Sequence, residues 1–152
     1  MNDPLARELV SSPIPARLAY TGLDGKPRAI PIGFLWDGSH FVLATEPSTP
    51  KVAALRVNPH VALTIDTNGM PPHVLLVRGT TSIDIVNGPP QEYLDGAKKY
   101  VPSDMYADWE AQVRQAYKQM ARIKVQPTWV KILDFETRLP SLLDRLAREQ
   151  NA

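Results

Sequence analysis

No cysteine occurs in the 152 residues. Disulfides, thiolate zinc sites and cysteine nucleophiles are thereby excluded, and a reducing compartment is permitted, with the cytoplasm as the expected location. A charge imbalance is missing too: seventeen basic residues stand against sixteen acidic ones, a formal net charge of +1. With no global field to attract nucleic acid or an anionic membrane, any anion site must be local. Residues 1–10 have neither the basic start nor the apolar run of a signal peptide, and no segment is long and apolar enough to span a bilayer. A soluble chain with no nucleic-acid and no membrane partner is expected.

Catalytic and metal motifs are also lacking. His40, His60 and His73 are far apart and form neither a helical i, i+4 pair nor a carboxylate-spaced set, so no metal site is expected. There is no glycine-rich dinucleotide fingerprint, no Walker loop and no Gly-x-Ser-x-Gly elbow. Strands precede helices in a way that opposes a βαβ fold, and basic residues are not interleaved with aromatics as on RNA-binding sheets.

What the chain does have is punctuation. Its fifteen prolines sit singly or in pairs at the ends of elements and form no low-complexity tract. The sharpest boundaries lie in residues 44–66, which read as strand end, loop, short helix and strand. Ser48 or Thr49 can cap the helix, Pro50 suits its first position, and Asn58-Pro59 stops it. Lys51 then falls in the first turn, where the macrodipole disfavours a cation. Either a solvated lysine carries that small penalty, or an anion removes it by meeting free backbone N–H groups, the hydroxyls of Thr45, Ser48 and Thr49, and the ammonium.

Taken in order, residues 3–10 suit a short amphipathic helix whose role is not readable, and residues 11–15 an extended entry. Residues 17–21 form a first strand closed by Gly22-Leu23-Asp24-Gly25. Its hairpin partner, residues 27–36, puts Arg28, Ile30, Ile32 and Phe34 on one face and small residues on the other. Asp37-Gly38 turns the chain into residues 40–45. After the capped helix come strands at 61–66 and 73–86, the second bent or bulged at Gly79. Asp66 either meets a polar group of a ligand or caps the turn, the turn being favoured. A helix at 92–100 and a second one capped by Ser103 follow, the latter with Trp109, Val113, Ala116, Tyr117 and Met120 as one apolar stripe. Residues 124–135 make a last strand, with Pro127 suggesting that one side of it is not fully paired. Ser141 can cap a final helix with Leu142, Leu143, Leu146 and Ala147 on one face. No internal repeat is present, and 152 residues suit one domain, with a barrel over about 15–135 and a terminal helix over about 141–149.

The order of these signals is specific. Arg28-Ala29-Ile30-Pro31-Ile32, Trp36-Asp37-Gly38, the run 45–51 and Asn58-Pro59-His60-Val61-Ala62-Leu63 closely resemble the pyridoxamine 5′-phosphate oxidase-like split barrels. Gln126-Pro127-Thr128-Trp129-Val130 and Asp134-Phe135 look like that superfamily's last strand. The resemblance runs from about residue 15 to 140 and implies a mainly β fold with flanking helices: a six-stranded antiparallel split barrel that forms a homodimer with flavin sites at the subunit interface. It also implies that Arg28 is the basic phosphate residue of strand two, Thr45 the hydroxyl ending strand three, and Thr49-Pro50-Lys51 the phosphate clamp, beside the Ser48 hydroxyl already singled out at the helix start. The backbone of Ala29, Ile30, Pro31 and Ile32 would lie along the isoalloxazine edge. Pro50 stands where many FMN-dependent members carry arginine, which removes one bidentate phosphate contact. The basic and histidine residues that grip pyridoxamine phosphate have no clear counterpart, so oxidation of vitamin B6 is not the expected activity.

In such a site the cofactor supplies the hydride chemistry and no side chain need act as a nucleophile, which accords with the absence of a catalytic constellation. The expected function is an FMN-dependent oxidoreductase acting on a small organic molecule. One alternative keeps the reaction class and replaces FMN by the deazaflavin coenzyme F-420, with Arg56, Arg78 and Lys26 serving its anionic tail or standing as solvated charges. Another is a non-enzymatic flavin or tetrapyrrole binding protein. Tyr20, Trp36, Tyr93 and Tyr100 either line the open face or are packing aromatics.

Overall fold

Alternating burial drives seven extended segments into one antiparallel sheet. The computed structural model describes residues 1–138 and 141–150. In these, α1 (Pro4–Ser11) precedes β1 (Ala16–Thr21), β2 (Pro27–Ile32), β3 (Leu35–Trp36) and β4 (Phe41–Thr45). Then follow α2 (Pro50–Val57), β5 (His60–Asp66), β6 (His73–Asn87), α3 (Gln91–Ala97), α4 (Tyr106–Ala116), β7 (Gln119–Asp134) and α5 (Ser141–Gln150). The strand order is β2-β1-β5-β6-β7-β4-β3. Among the described residues no helix is long and apolar enough to cross a membrane.

Seven strands replace the six expected, because the stretch 27–36 is not one strand. It breaks at Gly33-Phe34, and the halves lie on opposite edges of the sheet. Ile32 and Leu35 are three Cα steps apart, so the edges they end or begin are within about 11 Å of each other. A sheet whose edges meet has to roll up, and this one does so as a split barrel.

Inward-facing residues fill it: Ala16 and Leu18 of β1, Leu63 and Ile65 of β5, Leu75 and Val77 of β6, Ile123 and Val125 of β7, Phe41 and Leu43 of β4. The N-terminal helix joins the same core through Ala6, Leu9 and Val10, which gives the opening segment a purpose. Each large apolar side chain so buried contributes roughly 1.5–3 kcal/mol. Asp3 caps α1 by accepting the Leu5 N–H at 2.9 Å and pairs with Arg138; at the other end the Lys99 ammonium donates to the Val10 carbonyl at 3.0 Å. Helix α1 is therefore stitched to the barrel at both ends.

Strands β6 and β7 run 15 and 16 residues and bend where their register shifts between Arg78 and Gly79. Gly79 faces Pro127, Arg78 faces Trp129, and Thr128 is left over. That extra residue returns its hydroxyl to the Arg78 carbonyl at 3.2 Å, while Pro127 sits where a ladder donor is dispensable. The expected bend at Gly79 is real and its cause is steric. A Cβ there would lie 2.6 Å from the Gln126 carbonyl oxygen and 2.7 Å from Val125.

The helical region departs from expectation in two places. Helix α4 begins at Tyr106 with no side-chain cap, so Ser103 is not its N-cap, and it ends at Ala116. Tyr117 is its C-cap and Met120 belongs to β7, where it is buried; the apolar stripe read as one helix face spans a helix and a strand. At the end of β5 it is Thr67, accepting the His73 N–H at 3.0 Å, that organises the turn in place of Asp66. The Ser141 cap and the shared face of Leu142, Leu143 and Ala147 lie outside the described side chains, and Leu146 is exposed.

Helix α3 is pressed onto the Gly33-Phe34 crossover. A Cβ at Gly96 would come within 3.0 Å of the Phe34 carbonyl oxygen, so only glycine allows this approach. Just past the helix, Lys99 lies 3.6 Å over the Phe34 ring centroid, and burial pushes its ammonium down to about 8.

Two stability predictions follow from this packing. Gly79→Ala should destabilise the chain by about 1–3 kcal/mol, the range for overpacking against backbone, as read from urea unfolding. For Lys99 the unfolded chain, with its value at 10.5, binds more protons than the folded one between about 8 and 10.5. Its contribution to stability is therefore full above 10.5 and is lost as pH falls through about 8. Unfolding midpoints of the wild type relative to Lys99→Met should rise across that window; a flat difference would refute the assignment.

Candidate functional site

The chain leaves β4 at Thr45, turns through residues 46–49 and enters α2 at Pro50. Thr49 takes the N-cap position by its backbone, with φ −63° and ψ 143°, but its side chain makes no capping bond. Its buried hydroxyl oxygen has no hydrogen-bond partner among the described residues. Such an orphan is costly unless something else meets it. Ser48 does not cap either: its hydroxyl and its N–H donate to the Glu46 carboxylate at 2.5 and 2.8 Å. The helix thus starts with no side-chain cap at all.

Lys51, in that first turn, folds back and donates to the Thr45 hydroxyl at 3.2 Å. The ammonium is half-buried, burial pushes its pKa down, and among the described residues it meets no carboxylate. A desolvated cation beside an orphaned hydroxyl and an uncapped helix start is a place suited to an anion. Thr45, Thr49 and Lys51, three of the residues singled out by sequence, are brought together here.

Arg28 comes to the same region by another route. It lines a recess of about 240 Å³ between the β1–β2 turn and α2, with Tyr20, Gly22, Asp24 and Pro50. Its guanidinium is already engaged, donating to Asp24 at 2.8 Å and to the Pro27 carbonyl at 3.2 Å. The pair holds the Asp24 carboxyl low and the arginine high. Arg56 stands apart, exposed in the last turn of α2 at the opposite end from Lys51.

Ala29, Ile30, Pro31 and Ile32 lie on β2, an edge strand paired only with β1, so one side of their backbone has no ladder partner. Proline is tolerated there for the same reason. The outward surface beside them is a shallow recess of about 500 Å³ lined in part by Ala19, Ala62 and Arg78. Ala29, Ala19 and Ala62 stand in cross-strand register, continued by Arg78 and Trp129, with the guanidinium 4.4 Å from the indole centroid.

The four aromatics divide. Tyr20 lines the Arg28 recess, and Trp36 packs on Phe41 at 4.8 Å. Tyr93 and Tyr100 line a second cavity, of about 250 Å³, between α3 and the outer side of β4, together with Gly33, Phe34, Ala44 and Trp109. Sequence reasoning did not assemble this cavity, since its walls come from four separate segments. The signal available was the pair Gly33 and Gly96, small residues where two segments touch. Helix α3 is held over it by Arg122, which bridges Asp84 at 2.7 Å and Glu92 at 3.2 Å, and by the Tyr106 hydroxyl, which donates to the Leu94 carbonyl at 2.8 Å.

Comparison with known proteins places this geometry in context. Residues 3–134 match the family model described as pyridoxamine 5′-phosphate oxidase. No curated protein matches the sequence. Among solved structures, an F-420 reductase is 27% identical with a TM-score of 0.62, covering 82% of this chain and 94% of its own. An FAD-binding protein from Mesorhizobium loti is 15% identical (TM-score 0.56; 86% and 93% covered). A heme storage protein from Vibrio cholerae is 14% identical (TM-score 0.60; 86% and 92% covered). The last two likenesses are of fold alone.

Proposed function

Since the chain belongs to the pyridoxamine 5′-phosphate oxidase family, we propose that it is a flavin-dependent oxidoreductase. It holds FMN at a homodimer interface and moves hydride to or from a small organic substrate. The observation that carries this reading is Lys51: half-buried, bonded among the described residues to Thr45 alone, and set two residues from the orphaned Thr49 hydroxyl at an uncapped helix start. A terminal phosphate satisfies all three at once. Arg28 closes the site from the β2 side by exchanging Asp24 for phosphate, and Ser48 joins if Glu46 releases it. The unpaired backbone edge of Ala29 to Ile32 faces the polar rim of the ring.

Bound flavin supplies the redox chemistry. The protein's own part is to neutralise the phosphate, fix the ring edge and exclude water. The alanine row beside β2, ending at the exposed Trp129, serves as the contact between subunits, since small side chains let two sheets approach closely. The whole chain 1–152 acts as one such domain in the cytoplasm.

A second reading exchanges FMN for the deazaflavin coenzyme F-420. It is favoured by Pro50, which supplies no bidentate phosphate contact, and by the kinship with an F-420 reductase over 82% of the chain. Arg56, Arg78 and Lys26 are exposed and available to a longer anionic tail.

Absorbance and mass spectra of the purified protein, with parallel titration of FMN and coenzyme F-420, test both. FMN uptake with bleaching on reduction is expected; selective uptake of the deazaflavin moves the protein to the second reading. Uptake of neither, with a tetrapyrrole bound instead, leaves a non-enzymatic binding protein. Lys51→Ala should weaken cofactor binding by about 1.5–3 kcal/mol, the range for a charge-assisted hydrogen bond. Light scattering should give twice the chain's 16.9 kDa, and a monomer would contradict the interface.

A further inference from the structure

The cavity under α3 begins one residue beyond β2: Gly33, in its wall, follows Ile32 directly. The Ile32 end of the β2 edge therefore reaches the wall of this space. Its volume, about 250 Å³, exceeds the ~150 Å³ that admits a benzene and falls short of the ~300 Å³ at which drug-sized sites begin. One or two fused rings fit.

The lining states the chemistry. Phe34, Tyr93, Tyr100 and Trp109 present aromatic surface, with the Tyr93 and Trp109 rings stacked at 5.9 Å and 30°. Among the described residues no lysine or arginine lines the wall; the nearest recorded cation, Lys99, lies 3.6 Å from the Phe34 ring centroid and 5.4 Å from that of Tyr100 with its ammonium given to the Val10 carbonyl, and the one lining carboxylate, Glu92, is bonded to Arg122. No lining side chain is a cation, so a phosphate or a carboxylate would give up its hydration there without an ion-pair partner. The Tyr100 hydroxyl is buried and, among the described residues, donates to no acceptor; the Phe34 N–H is the one backbone group that bears on its oxygen, and the ring itself is fixed against Gly33. Burial pushes the Tyr100 phenol upward, so it keeps its proton and offers a donor.

We propose that this cavity seats the substrate, an uncharged planar compound of one or two fused rings whose carbonyl oxygen accepts a hydrogen bond from Tyr100. That the occupant is the substrate rests on β2 being the seat of the cofactor ring; that the cavity binds such a compound does not.

The test is calorimetric titration of the folded protein with three matched two-ring probes: 1-tetralone, tetralin, which lacks the oxygen, and 1-naphthoate, which adds a charge. Tetralone should bind once per chain, about tenfold tighter than tetralin, the gain of one buried hydrogen bond, and naphthoate more weakly than either. Tyr100→Phe should remove the preference for tetralone and leave tetralin unchanged. No binding of tetralone, tighter binding of naphthoate, or a tetralone preference that survives Tyr100→Phe would each overturn the proposal. If that variant does not fold, the ranking of the three probes on the wild type decides. FMN titrated separately keeps the two readings apart. Tetralone uptake without FMN uptake spares the cavity and sinks the flavin assignment, and FMN uptake without tetralone binding does the reverse.

Discussion

Gly33 and Phe34 carry the chain from one edge of the sheet to the other in two residues, and most of the molecule is arranged around that step. The sheet closes because its edges are tied there. Phe34 is buried at the tie, its ring 5.6 Å from that of Phe41 on one side and under the Lys99 ammonium on the other. Helix α3 reaches the tie only because Gly96 lacks a side chain, and Tyr100 lies against Gly33 for the same reason. Barrel closure, the seating of α3 and the aromatic cavity are thus consequences of one close approach, with glycine on both sides of it.

Charge sets orientations and burial sets stability. The Asp3–Arg138 pair and the Arg122 bridge to Asp84 and Glu92 are partly exposed, the kind of contact that contributes about 0–1 kcal/mol. Ala6, Leu9 and Val10 are nearly inaccessible, and each apolar side chain of that kind outweighs such a pair. The ion pairs are better understood as fixing where α1 and α3 sit over a core that apolar contacts already hold. Asp134 shows the same division. It ends β7 by accepting from the N–H groups of Glu136 and Thr137, at 2.9 and 3.0 Å, and from the Thr137 hydroxyl at 2.5 Å. Those donors keep its carboxyl far below the usual range, and they shape a turn.

Local signals made much of this legible. The strands alternate at period two, α2 is bounded by Pro50 and Asn58-Pro59, and Gly25 and Gly38 take the positive φ their turns need. The break at Gly33 was hidden because Ile30, Ile32 and Phe34 keep the same parity through it; only the pairing of β3 with β4 betrays it. Tyr117 and Met120 fall on a helical spacing by coincidence, and nothing local says that the helix has ended at Ala116. At the site, the Lys51–Thr45 contact followed from six-residue spacing across a helix start, whereas Ser48 was lost to Glu46 two residues away, a competitor of equal proximity. The aromatic cavity could not be read from spacing, because Gly33, Tyr93 and Trp109 are neighbours only once the barrel has closed.

The two ends of the proposed site oppose each other electrostatically. At one end Lys51 is a half-buried cation with no carboxylate, which disfavours its charged form until an anion arrives. At the other, the walls are aromatic, the only carboxylate is neutralised by Arg122, and the remaining polar demand is a single phenol. The edge of β2 runs from the Arg28 recess beside Pro50 to Gly33 in the cavity wall, and past Arg28 its only polar groups are those of the backbone. A cofactor with an anionic tail and a flat ring can be bound tail-first at Lys51, leaving its reactive ring beside a space that rejects charge. A neutral substrate loses little on leaving water for that space, while a charged one loses much. On the proposed reading, selection of this kind needs no catalytic side chain, because the bound cofactor supplies the redox chemistry and the protein only sorts what reaches it.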